Sequence, residues 1–190
     1  MNAARRVSAL TLLLLLAGCG SPAAGTRSTP PPSPSATGAP ADPTDAAWVQ
    51  LMTPMNEQAV ALLSLAADRS GDAGVRRWAV RLRSSQNGEL GRLRPLLTRM
   101  GLPDTNVHEG HRMPGMVTAD DLRRAHSLKG AAFDRFLVDR IGDHLRQTAQ
   151  VSRSETGAGT RQDAKRLAAS LVAARTAEIA RLPALPEGSG

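Results

Sequence analysis

Two groups of side chains in this 190-residue sequence carry sulfur, nitrogen and oxygen donors that a metal ion could use. The first group lies in a polar segment between two helical stretches and comprises His108, His111, Met113 and Met116. The second group lies on the apolar stripes of predicted helices and comprises Met55, Glu89, His144 and Glu178. Thioether and imidazole donors suit copper. These residues predict a soft-metal site, with copper as the candidate ion.

The same residues have structural interpretations that the sequence leaves open. Methionines on a helical stripe commonly fill irregular gaps in a core, and a stripe histidine such as His144 can be hydrogen-bonded inside it. The loop histidines can simply be solvated. We therefore expect a degenerate metal box, and weak copper binding stands as the alternative to a scaffold that binds no metal.

Glu89 and Glu178 occupy matching places on two predicted helices, where a buried carboxylate is costly unless it is neutralised or paired. Arg175 lies three residues before Glu178 on one helical face, which predicts an ion pair between them. Gln86 holds the corresponding position before Glu89. A hydrolase built on these two carboxylates would need a cleft between them, and a closed helical bundle should not provide one.

Residues for other chemistries are missing from the sequence. The chain has no serine elbow, no glycine-rich phosphate loop and a single cysteine, so we predict a non-enzymatic protein. Its net charge is +7, but the arginines are spread along helical faces and mixed with acidic residues. Two tryptophans and two phenylalanines are the only aromatic residues that could stack on bases. We therefore predict no nucleic-acid binding.

The apolar pattern, with steps of four and three, predicts long helices over about 44–68, 72–100, 131–155 and 160–182. Thr44 or Asp45 should cap the first, and Thr118 should cap a short helix that reaches about 128. The segments RRWAVRLRSSQNGELGRL (76–93) and KRLAASLVAARTAEIARL (165–182) repeat each other. Each copy of the resulting hairpin leaves an apolar stripe exposed, so two copies predict an all-α four-helix bundle.

Two further segments resemble the family of unknown function 305 (DUF305). HRMPGM (111–116) matches its His-x-Met-Pro-Gly-Met segment, and GAAFDRFL (130–137) matches a second family segment. The resemblance covers about 45–182. It implies a ferritin-like four-helix bundle in which a Met-Ile-x-His-His-x-x-Ala helix is followed by a Gln-x-x-Glu-Ile helix, usually twice. QNGEL (86–90) matches the Gln-x-x-Glu box, and Glu178 with Ile179 preserves half of its second copy.

Most histidines of that family's paired boxes are replaced in this chain. The resemblance aligns the first pair with Met55 and Asn56, and the second pair with Asp143 and His144. If the family's pairs bind a metal, most of the ligand set is gone here, and di-iron chemistry is not expected because it needs several carboxylates and histidines together. The predicted polar partners inside the bundle are Asn56, Gln86 and Arg175, with Asn56 facing Gln86 and Glu89 as a hydrogen-bonded substitute for the ion.

The N-terminus predicts export and lipid anchoring. Arg5 and Arg6 precede a short apolar run, and LAGC (16–19) resembles the bacterial lipobox, in which a lipid is attached to the cysteine and the chain is cut before it. We predict a signal peptide over 1–18, a lipidated Cys19 with a disordered Pro/Ser/Gly/Ala tether over 19–43, the bundle over 44–185 and a flexible tail over 186–190. Acyl chains on Cys19 would hold the protein on a membrane.

These features together predict a lipoprotein on the extracytoplasmic face of the cell membrane. Its bundle is expected to be a non-enzymatic binding or structural module, with copper binding as the alternative function. The membrane is the expected partner through the anchor, and the sequence names no protein partner. Copper is the one cofactor that the residues suggest.

Overall fold

The computed structural model describes residues 42–182, and within this range it is helical and contains no strand. The helices are α1 (Pro43–Ser64), α2 (Ala66–Arg69), α3 (Ala73–Arg99), α4 (Ala119–Ser127), α5 (Gly130–Ala158) and α6 (Gln162–Ile179). The predicted all-α class and the short helix after Thr118 are confirmed. The predicted signal peptide over 1–18, the lipid site Cys19, most of the tether over 19–43 and the tail over 186–190 lie outside the described residues.

The long helices form two hairpins that pack into one bundle. Helix α1 packs mainly against α3, and α5 packs mainly against α6; the hairpins meet chiefly where α1 contacts α5. This arrangement confirms the predicted four-helix bundle of two hairpins. None of the helices in the described range has the length and the apolar character needed to cross a membrane.

Helix α1 begins earlier than the sequence predicts. Asp42, and neither Thr44 nor Asp45, is the N-cap, and its carboxylate accepts a hydrogen bond from the Thr44 backbone N–H at 2.9 Å. Pro43 occupies the first helical position, where its missing N–H costs nothing and its fixed backbone angle suits a helix. Pro43 therefore belongs to the bundle, and Asp45 is released for a contact elsewhere.

Asp45 and Asp134 cap helices in a reciprocal way. Each lies near the start of the first helix of its hairpin, and each accepts hydrogen bonds at the start of the second helix of the other hairpin. The donors are the backbone N–H groups of Gly71 and Asp72 for Asp134, at 3.0 and 2.9 Å, and those of Thr160 and Arg161 for Asp45, at 3.1 Å each. Because orphan N–H groups at a helix start need acceptors, these two carboxylates lock the hairpins together.

The apolar core consists of two clusters. One includes Leu62, Trp78, Phe133 and Ile141, and the other includes Trp48, Leu93, Leu96 and Leu171. Along each long helix, buried polar residues lie between the contributions to the two clusters, as Asn56 does between Met52 and Ala59. The bundle therefore has a polar layer between two apolar ones.

Candidate functional site

The polar layer consists of six side chains that are almost fully buried. They are Asn56 from α1, Gln86 and Glu89 from α3, His144 and Thr148 from α5, and Arg175 from α6. A charge placed at such depth is stable only if it is paired and hydrogen-bonded. The polar layer is therefore a candidate for a buried functional site.

Arg175 and Glu89 form an ion pair at the centre of this layer. Arg175 Nη1 donates to Glu89 Oε1 at 2.8 Å and Nη2 donates to Oε2 at 2.6 Å, with exposed fractions of 0% and 1% for the two side chains. Two parallel N–H···O bonds of this kind combine charge neutralisation with a fixed geometry. The positive charge that Glu89 needs is thus supplied by a side chain.

Asn56 and Thr148 complete the surroundings of this pair. The Asn56 amide donates to Glu89 Oε2 at 2.8 Å, and its carbonyl oxygen accepts from Arg175 Nη2 at 3.1 Å. Arg175 Nε donates to Thr148 Oγ1 at 3.0 Å. All four helices of the bundle therefore contribute to one hydrogen-bonded network, and the predicted contact between Asn56 and Glu89 is present in it.

The predicted ion pair between Arg175 and Glu178 is wrong. Glu178 accepts a hydrogen bond from Trp78 Nε1 at 3.1 Å and pairs with Arg181, and its side chain is 19% exposed. A step of three residues turns a side chain about a sixth of a turn around the helix, so Arg175 faces the interior while Glu178 lies at the edge. Glu89 and Glu178 consequently belong to different hydrogen-bonded groups and do not form a carboxylate pair.

His144 is the histidine of the polar layer, and its partner is Gln86 rather than a charged residue. The two Nε2 atoms are 3.1 Å apart. His144 Nδ1 and Gln86 Oε1 are buried and have no hydrogen-bond partner within residues 42–182. Burial, with the positive charge of Arg175, lowers the pKa of His144 from 6.5 to about 3, so the ring is neutral at physiological pH.

The internal repeat gives a register for the second pair that differs by one residue from the alignment that the resemblance predicts. The number of positions that separates Glu89 from Glu178 also separates Asp45 from Asp134. The same separation makes His144, not Asp143, the counterpart of Met55 in the second copy of the repeat. Asp143 is 41% exposed and pairs with two surface arginines, Arg140 and Arg146. The buried counterparts of Met55 and Asn56 are therefore His144 and Leu145. Asp143 lies outside the bundle because the buried face of α5 at this level passes through Ile141, His144 and Leu145.

The crossover, residues 100–118, contains the second group of predicted ligands. Gly115 has a φ of +70°, and a Cβ on it would lie 2.4 Å from Gln147 Cβ and 2.9 Å from the Asp143 carbonyl oxygen. The crossover is therefore pressed against α5 at this point. Met116 is buried, Met113 is partly exposed and His111 is exposed.

A cavity of about 370 Å³ lies beside this contact. His108, His111, Met116 and Gln58 are among its lining residues, and the His108 and His111 ring centroids are 6.4 Å apart. His108 Nε2 and Gln58 Oε1 are buried atoms with no hydrogen-bond partner within residues 42–182. Buried polar atoms normally have partners, so this cavity has unused binding capacity.

The two groups differ in how well they suit a copper ion. In the polar layer, the Arg175 guanidinium already occupies the Glu89 carboxylate, and a second cation there would meet its positive charge. In the crossover, imidazole and thioether donors line one cavity. Within residues 42–182, each group has one unpartnered imidazole nitrogen, Nε2 of His108 in the crossover and Nδ1 of His144 in the polar layer, so the difference between the groups lies in the charge of Arg175. No three His, Cys, Asp or Glu side chains of the described range form a metal-holding cluster. Methionine sulfur would have to complete any crossover site.

Some residues of the site were not predicted from the sequence. Thr148 supports Arg175, and Asp45 and Asp134 hold the hairpins together. The repeat contained a signal for the two aspartates, because their spacing equals that of Glu89 and Glu178. No comparable signal existed for Thr148, whose repeat partner is Ala59.

Comparisons with known proteins agree with this architecture. The family model "Domain of unknown function (DUF305)" matches residues 45–185. A DUF305 protein from Streptomyces coelicolor, described as secreted, has a crystal structure that matches with a TM-score of 0.67 and 25% identity, covering 75% of this chain and 91% of that chain. A DUF305 fragment from Deinococcus radiodurans matches in fold with a TM-score of 0.69 and 24% identity, covering 77% and 97% respectively. No curated protein is significantly similar to the chain.

Proposed function

Since the chain belongs to the family of unknown function DUF305, we propose that it is a lipid-anchored extracytoplasmic protein whose bundle is a non-enzymatic binding or structural module. The observation that carries the proposal is the Arg175–Glu89 ion pair inside the polar layer. Its one cation and one anion neutralise each other in a bidentate contact, and four helices meet around them. Such a layer favours one fixed packing of the helices over alternatives. The interior thereby serves the scaffold, and ligands are left to the crossover surface.

The location outside the cytoplasm is supported from two directions. The N-terminal sequence has the charged, apolar and small residues of a lipoprotein signal, ending at Cys19. The Streptomyces coelicolor relative is described as secreted. Acyl chains on Cys19 would keep this chain on the membrane, because each buried CH₂ contributes about 0.8 kcal/mol.

Replacement of Cys19 by alanine should release the protein from the membrane. In cells that express the full chain, we expect the wild type to fractionate with membranes and Cys19→Ala to appear in the soluble extracytoplasmic fraction. Mass spectrometry of the purified wild type should show an acylated N-terminal cysteine, and Ser21→Ala serves as the matched control with unchanged anchoring. A wild-type chain that keeps Met1 and carries no lipid would contradict the proposed anchor.

Copper binding at the crossover is a second candidate function. The observation that favours it is the unpartnered His108 Nε2 in a cavity that His111 and Met116 also line. These side chains, with Met113 nearby, are the ones that would hold the ion; bound copper would supply soft-metal storage or transfer chemistry. Met55, Glu89 and His144 would not take part, because the polar layer is closed by Arg175.

Calorimetric titration with Cu(I) and Cu(II) separates the two candidate functions. If the crossover binds copper, His111→Ala and Met116→Leu should each weaken the affinity about tenfold, which corresponds to about 1.4 kcal/mol. Met55→Leu and His144→Ala test the polar layer and should leave the affinity unchanged, as should His126→Ala, which alters a histidine paired with Arg69. Absence of binding heat in the wild type would eliminate copper and leave the scaffold proposal. Equal losses in the polar-layer variants would show that the ion enters the bundle.

A further inference from the structure

Two carboxyl groups meet at the end of the bundle where α1 begins. Glu155 of α5 is 1% exposed, and its carboxyl group lies close to that of Asp45. Neither Glu155 oxygen accepts a hydrogen bond from a donor in the range 42–182. Two carboxyl groups can share a hydrogen bond only if one of them carries a proton. A buried carboxyl group that has no donor and lies beside another carboxylate favours its protonated form.

Asp45 is the ionised member of this pair. Its oxygens accept from the backbone N–H groups of Thr160 and Arg161, and Oδ2 also accepts from Thr160 Oγ1 at 2.8 Å. Donors at a helix start favour negative charge. Hydrogen bonds from Glu155, Thr160 and Arg161 outweigh burial and lower the pKa of Asp45. The proton thus belongs to Glu155.

The turn between α5 and α6 covers both carboxyl groups. A Cβ on Gly159 would lie 2.3 Å from Glu155 Oε1 and 2.8 Å from Asp45 Oδ1. The two side chains are consequently in direct contact with the turn. A change in the charge of either carboxyl group therefore changes the contacts that hold the turn in place. The pair joins three pieces of the bundle: the start of α1, the end of α5 and the start of α6.

The repeat provides an internal comparison for this pair. Asp134 caps the start of α3 as Asp45 caps the start of α6, but buried Ala66 stands where the second copy has Glu155. The second carboxyl group is therefore an addition to one of two otherwise equivalent caps. A cap needs the aspartate alone, as Asp134 demonstrates, so Glu155 has a separate effect.

We propose that Asp45 and Glu155 form a proton-operated clasp that holds the start of α1 on the α5–α6 turn and loosens as the pH rises through the neutral range. The charged groups that face it are Asp42 at the start of α1, which adds negative charge, and Lys165 of α6, which offsets part of it. Arg161 also acts on Asp45 through its charge. At Glu155 the charges of Asp45 and Asp42 outweigh that of Lys165, so loss of the proton from Glu155 leaves repelling carboxylates in a buried place.

The sign of the pH dependence follows from the pKa of Glu155. Burial, with the hydrogen bond to Asp45 and the negative charges of Asp45 and Asp42, raises this pKa from 4.5 to about 8. A raised pKa in the closed form means that the closed form holds a proton that the open form releases. The proton on Glu155 stabilises the closed clasp fully below about pH 4.5. This stabilisation declines between pH 4.5 and 8 and is lost above about pH 8.

The test is amide hydrogen exchange of the full-length chain between pH 5 and 9, expressed as protection factors for Thr160 and Arg161. In the wild type, protection should fall by up to about tenfold per pH unit until about pH 8 and then level off. Glu155→Gln, whose amide donates to Asp45 at every pH, should remove this slope. Asp134→Asn is the matched control in the other cap and should keep it.

Three results would overturn the clasp. One is a Glu155→Gln variant with the wild-type slope, and another is a wild-type Glu155 carboxyl that titrates near pH 4.5 in the carbon NMR spectrum of the folded chain. The third is full restoration of protection at pH 9 by calcium or magnesium ions, which would assign the pair to a cation in place of a proton. Glu155→Ala, which copies Ala66 of the first repeat, supplies a second variant if Glu155→Gln does not fold.

Discussion

Replacement of Arg175 by methionine is expected to lower the free energy of unfolding by about 3–5 kcal/mol, the cost of leaving a buried charge without its partner. Glu89 would lose both N–H donors of the guanidinium, and Asn56 and Thr148 would each lose a hydrogen bond. Chemical denaturation of the variant, with the transition slope checked against the wild type, measures this loss.

The double variant Arg175→Met/Glu89→Gln shows whether the loss comes from the charge. Removal of both charges should recover a large part of the stability, because a neutral layer avoids the burial of an unpaired ion. Arg146→Met is the matched control, since Arg146 pairs with Asp143 on the surface and an exposed pair contributes about 0–1 kcal/mol. If Arg175→Met cost no more than Arg146→Met, the polar layer would not be organised around the ion pair.

The substitution Gly115→Ala is expected to lower the free energy of unfolding by about 2–4 kcal/mol and to displace the crossover from α5. The φ of +70° is unfavourable for any residue with a Cβ, at about 1–2 kcal/mol. The added atom would also collide with Gln147 Cβ and with the backbone oxygen of Asp143, and a collision with helix backbone cannot be relieved by rotating a side chain. Thermal or chemical denaturation of Gly115→Ala measures the total.

Gly110→Ala separates the two contributions in the same crossover. Gly110 has a φ of +79°, yet nothing lies within 4 Å of the position that its Cβ would take. Gly110→Ala should therefore lower the free energy of unfolding by about 1–2 kcal/mol, the cost of the backbone conformation alone, because its Cβ meets no other atom. Equal losses for the two variants would mean that the crossover moves away from α5 at little cost. If copper binds at the crossover, Gly115→Ala should weaken that binding while Gly110→Ala leaves the α5 contact intact.

The polar layer contains Asn56 and His144, which occupy positions at which the resemblance to DUF305 predicts paired histidines. At the two repeat-related positions there are Met55 and His144, and the adjacent positions are Asn56 and Leu145. The Gln-x-x-Glu box of the first copy is intact, whereas Arg175 replaces the glutamine of the second. A permanently charged guanidinium therefore compensates the retained glutamate, and the layer needs no ion for its own stability.

Much of the architecture was predictable because helical periodicity and the internal repeat are local properties of the sequence. The four long helices, the crossover and the N-cap at Thr118 came from such patterns. The interaction of Asn56 with Glu89 followed from placing two stripes face to face. The error occurred where a choice among partners on different helices was required, as for Arg175.

The sequence by itself determined the helical class, the duplication and the predicted route to the membrane, since composition, periodicity and the lipobox are readable along the chain. Tertiary structure decided which charges meet. Arg175 could reach Glu178 on its own helix or Glu89 across the bundle, and only the buried geometry selects Glu89, because a desolvated carboxylate gains more from a cation than an exposed one does. It also brought Glu155 close to Asp45, two residues far apart in sequence that meet only when both hairpins are packed.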